Sequence, residues 1–264
     1  MLILMRGAGD IASGIALRLF RSGFSVVMTD LSQPTSIRRT VCFSEAILHG
    51  EAVVEDVTAR FAKSPKWVRA ITEGGSVAVL ADERGDSIHA LQPDVVVDAI
   101  LAKRNIGTRL DDAPVVIGVG PGFTAGTDCH AVVETMRGHT LGRVYYTGSA
   151  LPNTGIPGNV GGYTLERVLR APCDGVFTGA HSIGDVVQPG DICGYVNGEP
   201  MRTTIAGILR GLLPDGLPVT AGMKSGDVDP RCERMHCYTA SDKALAVGGG
   251  VLEAILHLSH AVHR

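Results

Sequence analysis

The sequence predicts an α/β fold: a doubly wound parallel sheet over residues 1–150, an all-β module over 171–228, and a C-terminal helix. Three observations carry this. The chain opens as strand, glycine turn, helix, strand and acid, ending at Asp30. Short Val/Ile runs follow without polar alternation, as strands buried on both faces require. Residues 175–190 then recur, 32 positions on, as residues 207–222.

In order, Leu2–Met5 read as the first strand and Gly7–Gly14 as the turn. Ile15–Phe20 have helical spacing, and Ser25–Asp30 form the second strand. Lys63–Thr72 suit a crossover helix, and further strands are expected at 76–80, 94–98 and 114–119. A helix is expected at His130–Met136. Residues 151–170, rich in glycine and proline, read as a connection carrying a short helix at Thr164–Leu169. The repeat pairs Gly175 with Gly207, Gly184 with Gly216, Val187 with Val219 and Gly190 with Gly222, which suggests two interlocked hairpin units. Residues 229–264 hold a helix beginning after Ser241, a suitable N-cap, and this segment is expected to pack back on the N-terminal domain. Gly248–Gly250 inside it imply a helix break or a close backbone approach.

Composition excludes several classes. With 264 residues, 45% hydrophobic content and a net charge of −3, the chain buries a core and is not disordered. A pI near 6.3 and the lack of a basic run argue against nucleic acid. Met1–Met5 are too few for a signal peptide and no apolar run spans a membrane, so no membrane role is expected. Six scattered cysteines then read as reduced thiols in the cytoplasm.

Strand ends in such sheets carry ligands, so three loops are candidate sites. In the first, Gly7, Gly9, Ala12 and Gly14, with Asp30 to accept from a ribose, form a dinucleotide-type fingerprint. Asp10 opposes a pyrophosphate there, and the alternative is a Rossmann-like turn without a nucleotide. Lys103 and Asn105, beside Arg104, sit past another strand end and suit a phosphate or a pterin-like ring edge, or form a solvated loop. Gly120, Gly122 and Gly126 suit an anion nest. Cys237 is the candidate catalytic thiol and Cys42 a weaker one. Cys232 and Cys237 lack zinc-site spacing, so no metal site is expected. Asp227 and Asp229 suit a cation or an ion pair with Arg231.

The cadence Ala171-Pro-Cys-Asp-Gly175 onward resembles the biotinyl/lipoyl-type barrel-sandwich fold. No lysine occupies the hairpin near Asn197–Arg202, so no covalent biotin or lipoate is expected. More widely, Arg6–Gly14, Arg38–Ala46, Asp98–Asn105, Gly120–Gly126, Glu134–Arg143, Pro152–Pro157, Asp227–Arg231 and Cys237 with Ser241–Lys243 resemble one family. It is the YqeB-type family of selenium-dependent molybdenum hydroxylase system proteins, related to XdhC-like maturation factors. That resemblance implies an accessory protein handling the molybdenum cofactor or its selenium or sulfur ligand. It implies a molybdopterin-type cofactor or nucleotide as the small anionic ligand, and a molybdenum hydroxylase as client. Homo-oligomerisation is left open. The competing expectations are an NAD(P)-binding oxidoreductase and a non-enzymatic scaffold that docks the client.

Overall fold

The computed structural model describes residues 1–259. It divides into two compact units: residues 1–34, 42–154 and the C-terminal segment from 240 form the first, and residues 35–41 and 155–239 the second.

The first unit contains β1 (Leu2–Arg6), α1 (Asp10–Arg21), β2 (Ser25–Asp30), α2 (Glu45–His49), β3 (Glu51–Val54) and β4 (Val57–Phe61). It continues with α3 (Val68–Glu73), β5 (Val77–Ala81), α4 (Ser87–Leu91), β6 (Val95–Asp98) and β7 (Val115–Val119). Short strands β8 (Thr124–Ala125), β9 (Ala131–Val133), β10 (Val144–Tyr145) and β11 (Gly148–Ser149) follow. Nine of these strands form one sheet in the order β10-β9-β7-β6-β1-β2-β5-β4-β3. Inner neighbours run parallel, while β9–β10 and β3–β4 are antiparallel edge pairs.

The expected Rossmann-like doubly wound sheet is therefore corrected. The sheet is mixed, and the connections from β6 to β7 and from β7 to β9 contain no α-helix. The helix expected at His130–Met136 is instead β9, whose three residues Ala131, Val132 and Val133 are all buried. Such a doubly covered apolar run suits a parallel strand better than an amphipathic helix. The sequence between β6 and β7 is broken by Gly107 and by Asp111, Asp112 and Pro114, which leave little helix propensity.

The second unit contains β12 (Val168–Arg170), β13 (Gly175–Gly179), β14 (Val186–Val187) and β15 (Ile192–Val196). It is completed by β16 (Glu199–Arg202), β17 (Gly207–Leu212), β18 (Pro218–Val219) and β19 (Lys224–Asp229). The expected barrel-sandwich module over 171–228 is also corrected. Two four-stranded antiparallel sheets form, β12-β19-β17-β14 and β16-β15-β13-β18, and they recruit residues on both sides of that span. The short helix expected at 164–169 is not formed, and its last residues enter β12. The repeated segments exchange partners: β13 of the first copy pairs with β18 of the second, and β14 with β17. Their shared core centres on Phe177, Leu209, Leu213 and Val228.

Back in the first unit, α5 (Asp242–Leu258) runs unbroken through its three glycines. The Ser241 side chain caps it by accepting from the Ala244 N–H at 3.2 Å. Helix α5 packs on α1 so closely that a Cβ at Gly14 would lie 2.4 Å from the Ala244 Cβ. A Cβ at Gly250 would lie 2.2 Å from the Gly142 carbonyl oxygen, so alanine is excluded there by backbone contact. No helix among the described residues is long and apolar enough to cross a membrane.

Candidate functional site

In the first unit, β2 and β6 lie on opposite sides of β1. The chain thus changes direction about β1, and the carboxyl ends of β1 and β6 border the kind of crevice where open parallel sheets bind ligands. The glycine segments predicted from the sequence come to this edge, but they spend most of their donors internally. The Gly7 N–H donates to the Thr29 carbonyl at 2.8 Å. The Ala8 N–H donates to the Asp30 carboxylate at 2.7 Å, which also accepts from Leu31. Asp30 therefore ties β2 to the glycine turn, and burial pushes its carboxyl up against these two bonds. Gly9 is the N-cap of α1, Ala12 is buried inside it, and Gly14 serves the contact with α5.

The other glycine loop behaves likewise. The Gly120 N–H donates to Val133 and the Gly126 N–H to Cys129, each at 2.8 Å. Gly122 has φ +110°, and a Cβ there would lie 2.6 Å from the Arg104 Cα, so this glycine lets the two loops meet. Asn105 is also committed. Its NH2 donates to the Thr108 carbonyl and to Asp128, while its oxygen accepts from Gly107 and Thr108. Below this edge, Arg6, Asp98 and Thr108 form a buried network in which Thr108 donates to Asp98 at 2.5 Å.

The cations differ. Lys103 lies in the loop after β6 and Lys243 in the first turn of α5. Neither ammonium group has a hydrogen-bond acceptor among the described residues. Desolvation, followed by repulsion from Lys103 and Arg137, pushes the Lys243 amine down to about 8, against weaker support from Asp10 and Glu134. Desolvation also lowers the Lys103 amine. Lys103 and Leu101 hold positive φ values of 65° and 62°, strained for side-chain-bearing residues. Arg137 is anchored by a bidentate pair with Asp242 at 2.8 and 2.9 Å. Glu134 is fully buried and accepts three backbone N–H bonds, from Thr135, Met136 and Leu151. These residues follow β1, β6 and β9 or open α5, so one sheet edge gathers them. Lys243 and Arg137 were not among the site residues predicted from sequence. The available signal was a lysine directly after the capped helix start Ser241-Asp242.

The two predicted thiols lie elsewhere. Cys42 is buried in the first unit. Cys237 is fully buried in the second, where its Sγ lies 3.9 Å from the Leu209 carbonyl oxygen and burial pushes the thiol up. A transfer thiol needs exposure and a lowered pKa, and Cys237 has neither. In the same unit Asp227 and Asp229 pair with arginines. Among the described residues, no three His, Cys, Asp or Glu side chains converge as a metal site would need.

No family model matches the chain. It is 51% identical over 259 residues to a protein of Escherichia coli (strain K12) called "Uncharacterized protein YqeB", covering 98% of this chain and 48% of that protein. The resemblance to the YqeB type that the motifs predicted is thus borne out, and the chain spans about half the length of the curated relative it matches. Among solved structures, an aspartoacylase family protein from Mesorhizobium loti has 12% identity and a TM-score of 0.27, covering 86% of this chain and 84% of that one. A succinylglutamate desuccinylase/aspartoacylase from Rhodobacter sphaeroides has 12% identity and a TM-score of 0.25, covering 86% of each. At those scores the likeness carries no argument about this chain. The molybdenum-hydroxylase role, with its oxidoreductase and client-docking alternatives, is corrected. The matched relative is named as uncharacterized, with no mention of molybdenum or selenium, so the comparison supports no such role.

Proposed function

We propose that the first unit of this YqeB-type chain binds a small phosphate-bearing ligand of the nucleotide kind at the carboxyl edge of its sheet. Lys103 and Lys243 contact the anion and Arg137 stands alongside. One observation carries the reading: Lys103, on the loop after β6, and Lys243, in the first turn of α5, come to one sheet edge, and neither ammonium group has an acceptor among the described residues. Desolvation and neighbouring cations disfavour the charged form of Lys243, an effect that a bound anion would offset. The glycine loops then act as spacers that bring the lysine-bearing segments together, rather than as the anion's own donors. The six scattered cysteines of the sequence fit a reducing, cytoplasmic setting.

The test is calorimetric titration of the full chain with pyrophosphate and AMP at pH 7. Saturable binding is expected, weakening as salt is raised. Lys243→Ala should weaken it by about tenfold or more, since a hydrogen bond to a charged group contributes about 1.5–3 kcal/mol. Absence of saturable binding to either probe overturns the reading.

A further inference from the structure

The first unit also holds a cavity of about 570 Å³ whose lining includes neither Lys103 nor Lys243. Two segments wall it. The connection from β6 to β7 contributes Arg109, Leu110 and Asp111, and the loop between β8 and β9 contributes Thr127, Asp128 and His130. Both walls are anchored. Thr108, which also lines the cavity, is held by Arg6 and Asp98 at 2.5 Å each. Asp128 accepts from the Thr124 N–H at 2.8 Å and from the Asn105 amide at 3.2 Å, and the second of these bonds joins the two walls. A cavity tied in this way needs little ordering when a ligand enters.

The same bonds select what fits. The Arg109 guanidinium donates twice to Asp111, at 2.9 and 2.8 Å, and Asp128 already holds its two N–H donors. Each charge in the lining is met within the walls, so a ligand with a net charge finds no unmatched counter-charge. Positions suited to hydroxyl groups remain. The Val116 N–H donates to His130 Nδ1 at 3.0 Å, which places the ring proton on Nε2 as a donor. Each Asp128 oxygen keeps a lone pair, Thr127 supplies a hydroxyl, and Leu110 supplies an apolar surface.

We propose that this cavity binds a small neutral polyhydroxylated ligand, a sugar of one or two rings. One hydroxyl of a vicinal pair accepts from His130 Nε2–H and donates to Asp128. Its neighbour pairs with Thr127, and the carbon-bound hydrogens of the ring rest on Leu110. The volume lies in the range of about 300–1,000 Å³ usual for small-ligand sites. This site is independent of the anion-binding reading above.

The test titrates the full chain with glucose, galactose, mannose and maltose, followed by calorimetry and by saturation transfer to the sugar protons. At least one sugar should bind saturably, and its affinity should change less than about twofold when salt is raised tenfold, as for an uncharged ligand. Leu110→Trp fills the cavity from an exposed position, so it should abolish sugar binding without unfolding the chain. Thr127→Val, also at an exposed position, should weaken binding by about two- to tenfold, the loss of one neutral hydrogen bond. Pyrophosphate binding should be unchanged by either substitution, which keeps this outcome apart from that of the anion site. Absence of saturable binding to all of these sugars overturns the proposal. Sugar binding that both substitutions leave intact, or that falls steeply with salt, overturns it as well.

Discussion

The two units handle positive charge in opposite ways. In the second, Arg167 and Arg210 are only 7% and 8% exposed, and both are spent on carboxylates. Arg167 donates to Asp227, and Arg210 donates to Asp227 at 2.5 and 2.9 Å and to Asp229 at 2.8 Å. Arg231 adds two further bonds to Asp229, at 2.6 and 2.9 Å. In the first unit, Lys103 and Lys243 come to one sheet edge and donate to nothing among the described residues. Charge placed to hold a fold is satisfied by that fold. Charge left unsatisfied at a strand edge is what a ligand can use.

The largest way to sharpen this contrast is to break the saturated network. Asp227→Ala leaves Arg210 and Arg167 without their shared carboxylate in a buried site. It should lower stability by about 3–5 kcal/mol in chemical denaturation, because an uncompensated buried charge is left behind. A loss near zero would mean that the arginines reach water and the two units do not differ as described. On the first unit the corresponding change runs the other way. Lys243→Met should weaken pyrophosphate binding by about tenfold while leaving stability unchanged or raised, since it removes a repelled, partly desolvated cation.

Acid and alkali probe the same difference with opposite signs. Burial alone would push the Asp229 carboxyl up, but bonds from Arg231 and the charges of Arg210 and Arg231 hold it at about 2. Its contribution is present above the unfolded value of about 3.9 and is lost as pH falls towards that folded value. For Lys243 the folded value of about 8 lies below the unfolded one. Between about 8 and 10.4 the unfolded chain binds more protons, so this residue makes stability rise with pH there. Ligand binding falls over the same range as the ammonium charge is lost. Denaturation midpoints and pyrophosphate titrations from pH 6 to 10 should therefore diverge, and Lys243→Met should abolish the divergence.

How much of this was legible in the sequence follows from the range of each signal. The turn at Gly7–Gly14 and the Ser241 cap are set by neighbours a few residues apart, and both could be read directly. The mixed sheet could not, because Ala131–Val133 are too short for periodicity to separate strand from helix. The glycines announced tight backbone, yet whether tightness serves a ligand or a neighbouring segment depends on what lies across the gap. For Gly122 that is Arg104, and for Gly14 it is Ala244. Lys103 and Lys243 lie 140 residues apart in sequence, and only the assembled sheet edge brings them together.

The smallest expected effect concerns Cys237, the thiol that sequence reasoning singled out. Its side chain is fully buried and its Sγ reaches only the Leu209 carbonyl, at the long distance of 3.9 Å. Within the comparison it belongs with the saturated, structural side of the molecule. Cys237→Ala should therefore lower stability by about 1 kcal/mol, the scale of one buried methylene-sized group. Pyrophosphate affinity should be unchanged. Alkylation of the native protein should label the exposed Cys232 first and leave Cys237 protected until unfolding. Rapid labelling of Cys237 in the folded chain would move it to the functional side, because a thiol that reacts from this position must open its surroundings far more often than a packed core allows.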